Sequence, residues 1–190
     1  GAFLYFRQAH LIFRPVREIS KTPKEYQEVF ISVAGKDNRT EKIYGWWFPS
    51  KNTQTNKRVL LYFHGCCNNI SHDLEKIKLW QKLDFSILAI DYRGYGRSEG
   101  KFPSESQVYA DAKAAWDYLK FNKQIQAEQI IIYGSSLGGA IAIELATKHP
   151  DAMGLIIESS FSSMREMIGE RPIPPIYPFD LILHQKFNSI

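Results

Sequence analysis

The chain has 190 residues, 44% of them hydrophobic and 23% charged, which is the size and composition of one globular domain. These values exclude a disordered or collagen-like chain, and no apolar run is long enough for a multi-span membrane protein. The net charge of +4 comes from scattered basic residues, so we expect no nucleic-acid partner. The two cysteines, Cys66 and Cys67, are adjacent, which predicts two free thiols rather than a disulfide framework.

The two ends of the chain differ from its middle. Residues 1–20 open with an apolar stub, Gly1 to Phe6, which either follows a lost membrane anchor or packs on the core as a short segment. We expect the protein to be either membrane-anchored or cytoplasmic, and the sequence leaves both alternatives open. Residues 162–190 carry closely spaced prolines that interrupt regular structure before a predicted helix over 179–187. We expect residues 1–190 to form one domain.

The middle of the chain predicts two strands followed by alternating strands and helices. Alternating hydrophobicity predicts the first two strands over 26–33 and 42–48. Apolar runs and helical periodicity then predict strands over 59–63, 85–90, 129–133 and 154–157, and helices over 73–83, 104–121 and 136–148. The first of these helices has its apolar residues at Leu74, Ile77, Trp80 and Leu83. This order predicts an α/β fold, a three-layer α/β/α sandwich with a mostly parallel sheet.

Residues 134–138 (GSSLG) match the pattern G-x-S-x-G in one frame only, with Ser136 at its centre. The motif lies between a predicted buried strand and a predicted helix, where this pattern forms a sharp turn that exposes the serine hydroxyl. The hydroxyl would stand at a helix N-terminus, where the helix dipole favours negative charge. Ser136 is therefore the candidate nucleophile, and the competing interpretation is a glycine turn with a capping serine.

A second motif, His64-Gly65-Cys66, directly follows the strand over 59–63. Hydrolases with a G-x-S-x-G motif build their oxyanion hole at this place, and its donors would be the backbone N–H groups of Cys66 and Leu137. A backbone donor leaves the thiol of Cys66 without a role. A cysteine nucleophile is the sharper alternative, but it has no evident histidine partner. We expect His64 to hold the loop through hydrogen bonds.

A third motif, Asp91 to Ser98 (DYRGYGRS), leaves the strand over 85–90. Its glycines do not follow a phosphate-binding pattern. We therefore expect this loop to give structural support, and Asp91 to make structural polar contacts rather than act as a catalytic acid.

Together the three motifs resemble the α/β-hydrolase fold, on the side of prolyl oligopeptidase and dienelactone hydrolase. The nearest group is the membrane-anchored α/β-hydrolase domain-containing serine hydrolases, whose second strand is similar to Tyr44 to Pro49 (YGWWFP). The resemblance implies eight strands with the serine after the fifth. It also implies hydrolysis of a carboxylic ester, thioester or amide, in a small acyl substrate or a peptide, through an acyl-enzyme. No metal or cofactor is implied.

In the resemblance the triad acid and histidine follow the seventh and eighth strands, but this sequence predicts only six strands. His149 ends the helix that starts at Ser136, roughly 20 Å away, and His184 follows the prolines and cannot be placed. Glu158, at the tip of the sixth strand, could supply an acid but no base. We therefore expect the triad acid and histidine beyond residue 190, the C-terminal strands to be missing, and this chain alone to be inactive.

The missing strands would leave the sixth strand as an apolar edge through which the chain could self-associate. The chain is then a fragment, or a natural short form that covers this edge by another contact. Two functional hypotheses follow. One is a serine hydrolase acting through Ser136, and the other is a non-catalytic hydrolase-like module that binds an acyl ligand or a protein partner.

Overall fold

A computed structural model describes residues 10, 12–35, 39–52 and 58–158. In this part of the chain, six strands form one sheet in the order β1-β2-β4-β3-β5-β6. Their bounds are β1 Gln27–Ala34, β2 Thr40–Phe48, β3 Val59–Phe63, β4 Ser86–Ile90, β5 Ile130–Ser135 and β6 Gly154–Glu158. The pairs β1–β2 and β2–β4 are antiparallel, and the other three pairs are parallel.

Helices cover both faces of this sheet. The described α-helices are α1 Leu74–Lys82, α2 Glu105–Asp117 and α3 Leu137–Lys148, with short 3₁₀ turns at Ile70–Asp73 and Ala127–Gln129 and a π-helical turn at Tyr118–Asn122. Helix α1 packs into one apolar cluster, whereas α2 and α3 pack into another on the opposite face. The predicted three-layer arrangement with a mostly parallel sheet is confirmed.

Burial along the strands follows their position in the sheet. In β1, at one edge, Val29, Ile31 and Val33 are buried while the residues between them are exposed, as the alternation predicts. Every residue of the central strands β3 and β4 is buried, as expected for parallel strands covered by helices on both faces.

Helix α2 lies within the helix predicted over 104–121, and its apolar residues at helical spacing, Val108, Ala112, Ala115 and Trp116, are all buried. The prediction for α1 is wrong at its last residue, because Leu83 is 59% exposed. Helix α1 ends at Lys82, and the N–H of Leu83 donates to the carbonyls of Trp80 and Gln81 in a tightened last turn. Leu83 therefore lies beyond the helix and its side chain leaves the inner stripe.

Strand β6 pairs with β5 and has no second neighbour among the described residues. Its side chains Leu155 and Ile157 are 41% and 38% exposed. The predicted apolar edge is thus present in the described part of the fold. The predicted proline-rich tail and its helix lie outside the described residues.

Near the other end, Ile12 and Phe13 are buried in the cluster that holds α2 and α3. The apolar stub, Gly1 to Phe6, lies outside the described residues. Among the described helices, none has both the length and the apolar character needed to cross a membrane.

Candidate active site

Ser136 lies on a sharp turn between β5 and α3, in the place that the motif predicts. It follows Ser135, the last residue of β5, and precedes Leu137, the first residue of α3. Its backbone has a φ of 53° and a ψ of −118°, a conformation that costs a non-glycine residue energy. The Ser136 N–H donates to the carbonyl of Glu158 at 2.9 Å, and its carbonyl accepts from the N–H of Gly139 at 2.9 Å. Neighbouring backbone therefore holds the strained turn on both sides.

The two glycines of the motif allow this turn to pack closely. A Cβ at Gly134 would lie 2.0 Å from the carbonyl oxygen of Gly138. A Cβ at Gly138 would lie 2.3 Å from the carbonyl oxygen of Phe63, at the end of β3. Both obstacles are backbone atoms, so neither position has room for any side chain.

The loop after β3 lies directly against Ser136. A Cβ at Gly65 would be 3.5 Å from the Cβ of Ser136 and 4.0 Å from its Oγ. Leu137 begins α3, and the first N–H groups of an α-helix have no partner within the helix. The structure therefore brings the loop of Cys66 and the start of α3 to the same place, as the sequence predicts.

Hydrogen bonds fix the backbone of Cys66 from two sides. Its carbonyl oxygen accepts from the N–H of Arg14 at 3.2 Å and from the hydroxyl of the buried Tyr95 at 2.7 Å. The pKa of the Cys66 thiol is raised to about 12, mainly by burial and to a smaller extent by the hydrogen bond with Cys67. This thiol is protonated at neutral pH, which argues against Cys66 as a nucleophile because the thiolate is the reactive form.

His64 supports the same loop from inside the protein. Its side chain is fully buried, with Nδ1 2.7 Å from the carbonyl oxygen of Gly65 and Nε2 3.3 Å from Oδ1 of Asp91. Asp91 is also buried, and its Oδ1 accepts from the N–H of Ile70 at 2.8 Å. The predicted structural contacts of His64 and Asp91 are confirmed.

The third motif is anchored by a buried ion pair that sequence reasoning missed. Asp111 accepts from the backbone N–H of Arg93 at 2.9 Å and from its guanidinium at 2.9 and 2.7 Å. The same guanidinium reaches Glu41 at 3.2 Å. Gly96, with a φ of 47°, passes so close to Asp91 that a Cβ would lie 2.0 Å from Oδ2. The loop is therefore structural support, as predicted.

The other candidate groups in the described chain already have partners. The carboxylate of Glu158 is bound by the Lys76 ammonium at 2.8 and 2.9 Å and by the Tyr133 hydroxyl. These hydrogen bonds lower the pKa of Glu158. The ring of His149 stacks on Trp116 with centroids 4.3 Å apart. Glu158 is thus held as an ionised, paired group, and His149 packs on α2.

The chain is similar to known proteins over most of its length. The model of a family described as "Serine aminopeptidase, S33" matches residues 54–188. The protein bem46 of Schizosaccharomyces pombe is 30% identical over 184 residues, which are 93% of this chain and 60% of that protein.

Two solved structures share the fold at 27% identity. An α/β hydrolase from Vibrio vulnificus has a TM-score of 0.67, with 85% of this chain and 57% of that chain covered. An esterase from Pyrococcus furiosus has a TM-score of 0.60, with 74% and 56% covered. The chain therefore spans between 56% and 60% of each of these three proteins.

Proposed function

The chain belongs to the family of α/β hydrolases that the S33 model describes, and we propose that it is the nucleophile-bearing part of a serine hydrolase. The observation that carries this proposal is the backbone of Ser136, which has a φ of 53° between a buried strand and a helix. A capping serine has no need of a positive φ, since cap residues adopt extended backbone. Strain of this kind is typical of functional residues.

In the proposed reaction, Ser136 Oγ attacks the carbonyl carbon of an ester, thioester or amide. As the new C–O bond forms, the carbonyl oxygen takes the negative charge and accepts hydrogen bonds from the N–H groups of Cys66 and Leu137. When the carbonyl re-forms, the leaving group departs with the proton that the base took from the serine, and water then hydrolyses the acyl-enzyme. An ester is the first substrate to test, because the similar Pyrococcus furiosus protein is named an esterase.

The serine proton needs a base, and we place the triad histidine and acid beyond residue 190. Three observations support this. Glu158 is paired with Lys76, His149 is stacked on Trp116, and the similar proteins are longer than this chain. Without the base, positioning and the oxyanion donors leave only a residual acceleration of about 10³–10⁴ over water. On this proposal the 190-residue chain alone is therefore a poor catalyst.

A fluorophosphonate probe, which reacts with activated serines, tests this assignment on the full-length protein. We expect the probe to label the wild type and Ser135→Ala, and to fail on Ser136→Ala. Ser135→Ala is a matched control because it removes the neighbouring hydroxyl from the same turn. Equal labelling of Ser136→Ala and the wild type would refute the assignment. A protein that no probe labels but that binds a fatty-acyl ligand would instead support the non-catalytic module.

A further inference from the structure

Two thiols at the candidate oxyanion hole have no role in the reaction proposed above. Cys66 and Cys67 are both free, with Cys67 exposed and Cys66 half-buried. Their Sγ atoms lie 2.6 Å apart, within bonding reach of one another after a small movement. Two thiols held this closely can be oxidised to a disulfide by a change confined to this loop and its hydrogen-bond partners.

We propose that Cys66 and Cys67 form a reversible oxidation site, which a small-molecule disulfide converts into a vicinal disulfide that withdraws the Cys66 N–H from the oxyanion hole. The oxidation itself is independent of the catalytic assignment. Its effect on catalysis rests on the proposed function.

The chemistry is a pair of thiol–disulfide exchanges. The exposed thiolate of Cys67 attacks one sulfur of a disulfide RSSR, forming a Cys67–SR mixed disulfide and releasing RS⁻. In the mixed disulfide Cys67 no longer has a thiol, so its hydrogen bond and its charge no longer raise the pKa of the Cys66 thiol. The Cys66 thiol then loses its proton to solvent, and its thiolate attacks the Cys67 sulfur, which expels the second RS⁻. Overall, two protein thiols lose two electrons and two protons, and RSSR is reduced to two RSH.

The geometry makes this disulfide easy to reverse. Adjacent Cα atoms across a trans peptide are about 3.8 Å apart, whereas an unstrained disulfide joins Cα atoms about 4.4–6.8 Å apart. A bridge between Cys66 and Cys67 is therefore strained, and strained disulfides are the labile, regulatory ones. The high pKa of Cys66 makes its thiolate a poor leaving group, but the exposed sulfur of Cys67 remains open to attack by a reductant.

A disulfide between Cys66 and Cys67 closes a ring that contains the peptide bond between these two residues. In the reduced protein, the fold holds this peptide bond in place. The Cys66 carbonyl belongs to the peptide bond inside the new ring, and it accepts hydrogen bonds from the Arg14 N–H and the Tyr95 hydroxyl. Twisting this peptide to close the ring disturbs both bonds. The adjoining peptide carries the Cys66 N–H and continues to Gly65, which lies against Ser136. Oxidation therefore moves the oxyanion donor without touching β5 or α3.

The experiment treats the full-length protein with oxidised glutathione and follows both mass and turnover. Trypsin cuts after Arg58 and Lys76, so it releases both cysteines in one peptide, 59–76. We expect this peptide to become lighter by two hydrogen atoms and kcat for a p-nitrophenyl ester to fall by up to about 10²–10³, the loss typical of one oxyanion donor. Dithiothreitol should restore both the mass and kcat.

Cys67→Ser is the matched control, since it keeps the Cys66 backbone but cannot close the ring. Its kcat should resist oxidised glutathione. A wild-type peptide that never loses two hydrogen atoms, or one that loses them with kcat unchanged, would overturn the proposal. A reduced protein without Ser136-dependent turnover would contradict the proposed function instead, and the peptide mass would still decide whether the oxidation site exists.

Discussion

Gly138 shows how one residue sets the distance between the nucleophile turn and the sheet. It lies in the first turn of α3, where alanine is ordinarily the better helix former by about 1 kcal/mol. A methyl group at this position would meet the carbonyl oxygens of Phe63 and His64 at 2.3 and 2.7 Å. Both carbonyls belong to the end of β3 and the loop behind the oxyanion hole, so neither can move without moving the site.

Gly138→Ala should therefore lower the free energy of unfolding by about 1–3 kcal/mol, the cost of overpacking, in spite of its better helix propensity. Urea unfolding followed by circular dichroism measures the change. Gly154→Ala is the matched control, because a Cβ there meets nothing within 4 Å, and it should shift stability by less than about 0.5 kcal/mol. A stabilised Gly138→Ala protein would show that α3 is not held against β3 in this way.

Helix α2 and the loop after β4 are joined by a buried ion pair rather than by apolar contacts alone. The side chains of Arg93 and Asp111 are 2% and 0% exposed, and their oxygen and nitrogen atoms lie 2.7 Å apart. Breaking a buried pair leaves one charge without a partner in a medium of low dielectric constant, which costs more than the pair contributes. This pair therefore fixes the position of α2 relative to the loop after β4, which contains Asp91 behind the candidate site.

Asp111→Ala should reduce the free energy of unfolding by about 3–5 kcal/mol, because the Arg93 guanidinium is left buried and uncompensated. Lys113→Ala on the same helix is the control. It breaks the exposed pair with Asp117 and should cost about 0.5 kcal/mol or less. Thermal and urea unfolding of the wild type and of the two variants measure how much unfolding free energy each substitution removes. A loss for Asp111→Ala no larger than the control's would mean that Arg93 finds another partner or water.

Among the described residues, the sheet ends on one side at β1, whose exposed residues alternate with buried ones, and on the other at β6. The side chains of Leu155 and Ile157 on β6 are both more than one-third exposed. An exposed apolar strand with an unpaired backbone edge is a template for pairing with another chain. We therefore infer that isolated copies of the 190-residue chain associate through β6.

Leu155→Lys should lower the apparent mass of the 190-residue chain in sedimentation, since a charged edge strand opposes strand pairing. Leu79→Lys serves as the control, because Leu79 is 59% exposed on α1, where the helix satisfies its own backbone. It should leave the apparent mass unchanged. Association that survives Leu155→Lys, or that Leu79→Lys removes equally well, would place the contact elsewhere.

The sequence by itself determined the features that depend on neighbouring residues. Apolar runs placed the buried strands within a residue or two, because burial on both faces leaves a continuous local pattern. The glycine spacing placed the sharp turn at Ser136 rather than at Ser135, since the turn conformation depends only on adjacent residues. The side chain of Leu83 was wrongly predicted to lie on the buried face of α1, because apolar periodicity does not indicate where a helix ends. The burial of Asp111 could have been predicted from the sequence, because this charged residue lies next to the buried stripe residues Val108 and Ala112.

The tertiary structure alone decided which distant residues meet. The Cys66 carbonyl is bound by Arg14 and by Tyr95, 29 residues further on. Lys76 forms an ion pair with Glu158, which is 82 residues further along the chain. The carboxylate that the sequence suggested as a candidate catalytic acid is therefore already paired. No local pattern encodes these contacts, because hydrophobic burial is non-directional while a hydrogen bond needs one partner at one distance and angle. Those partners exist only once the strand order β2-β4-β3-β5-β6 has set which strand ends lie side by side.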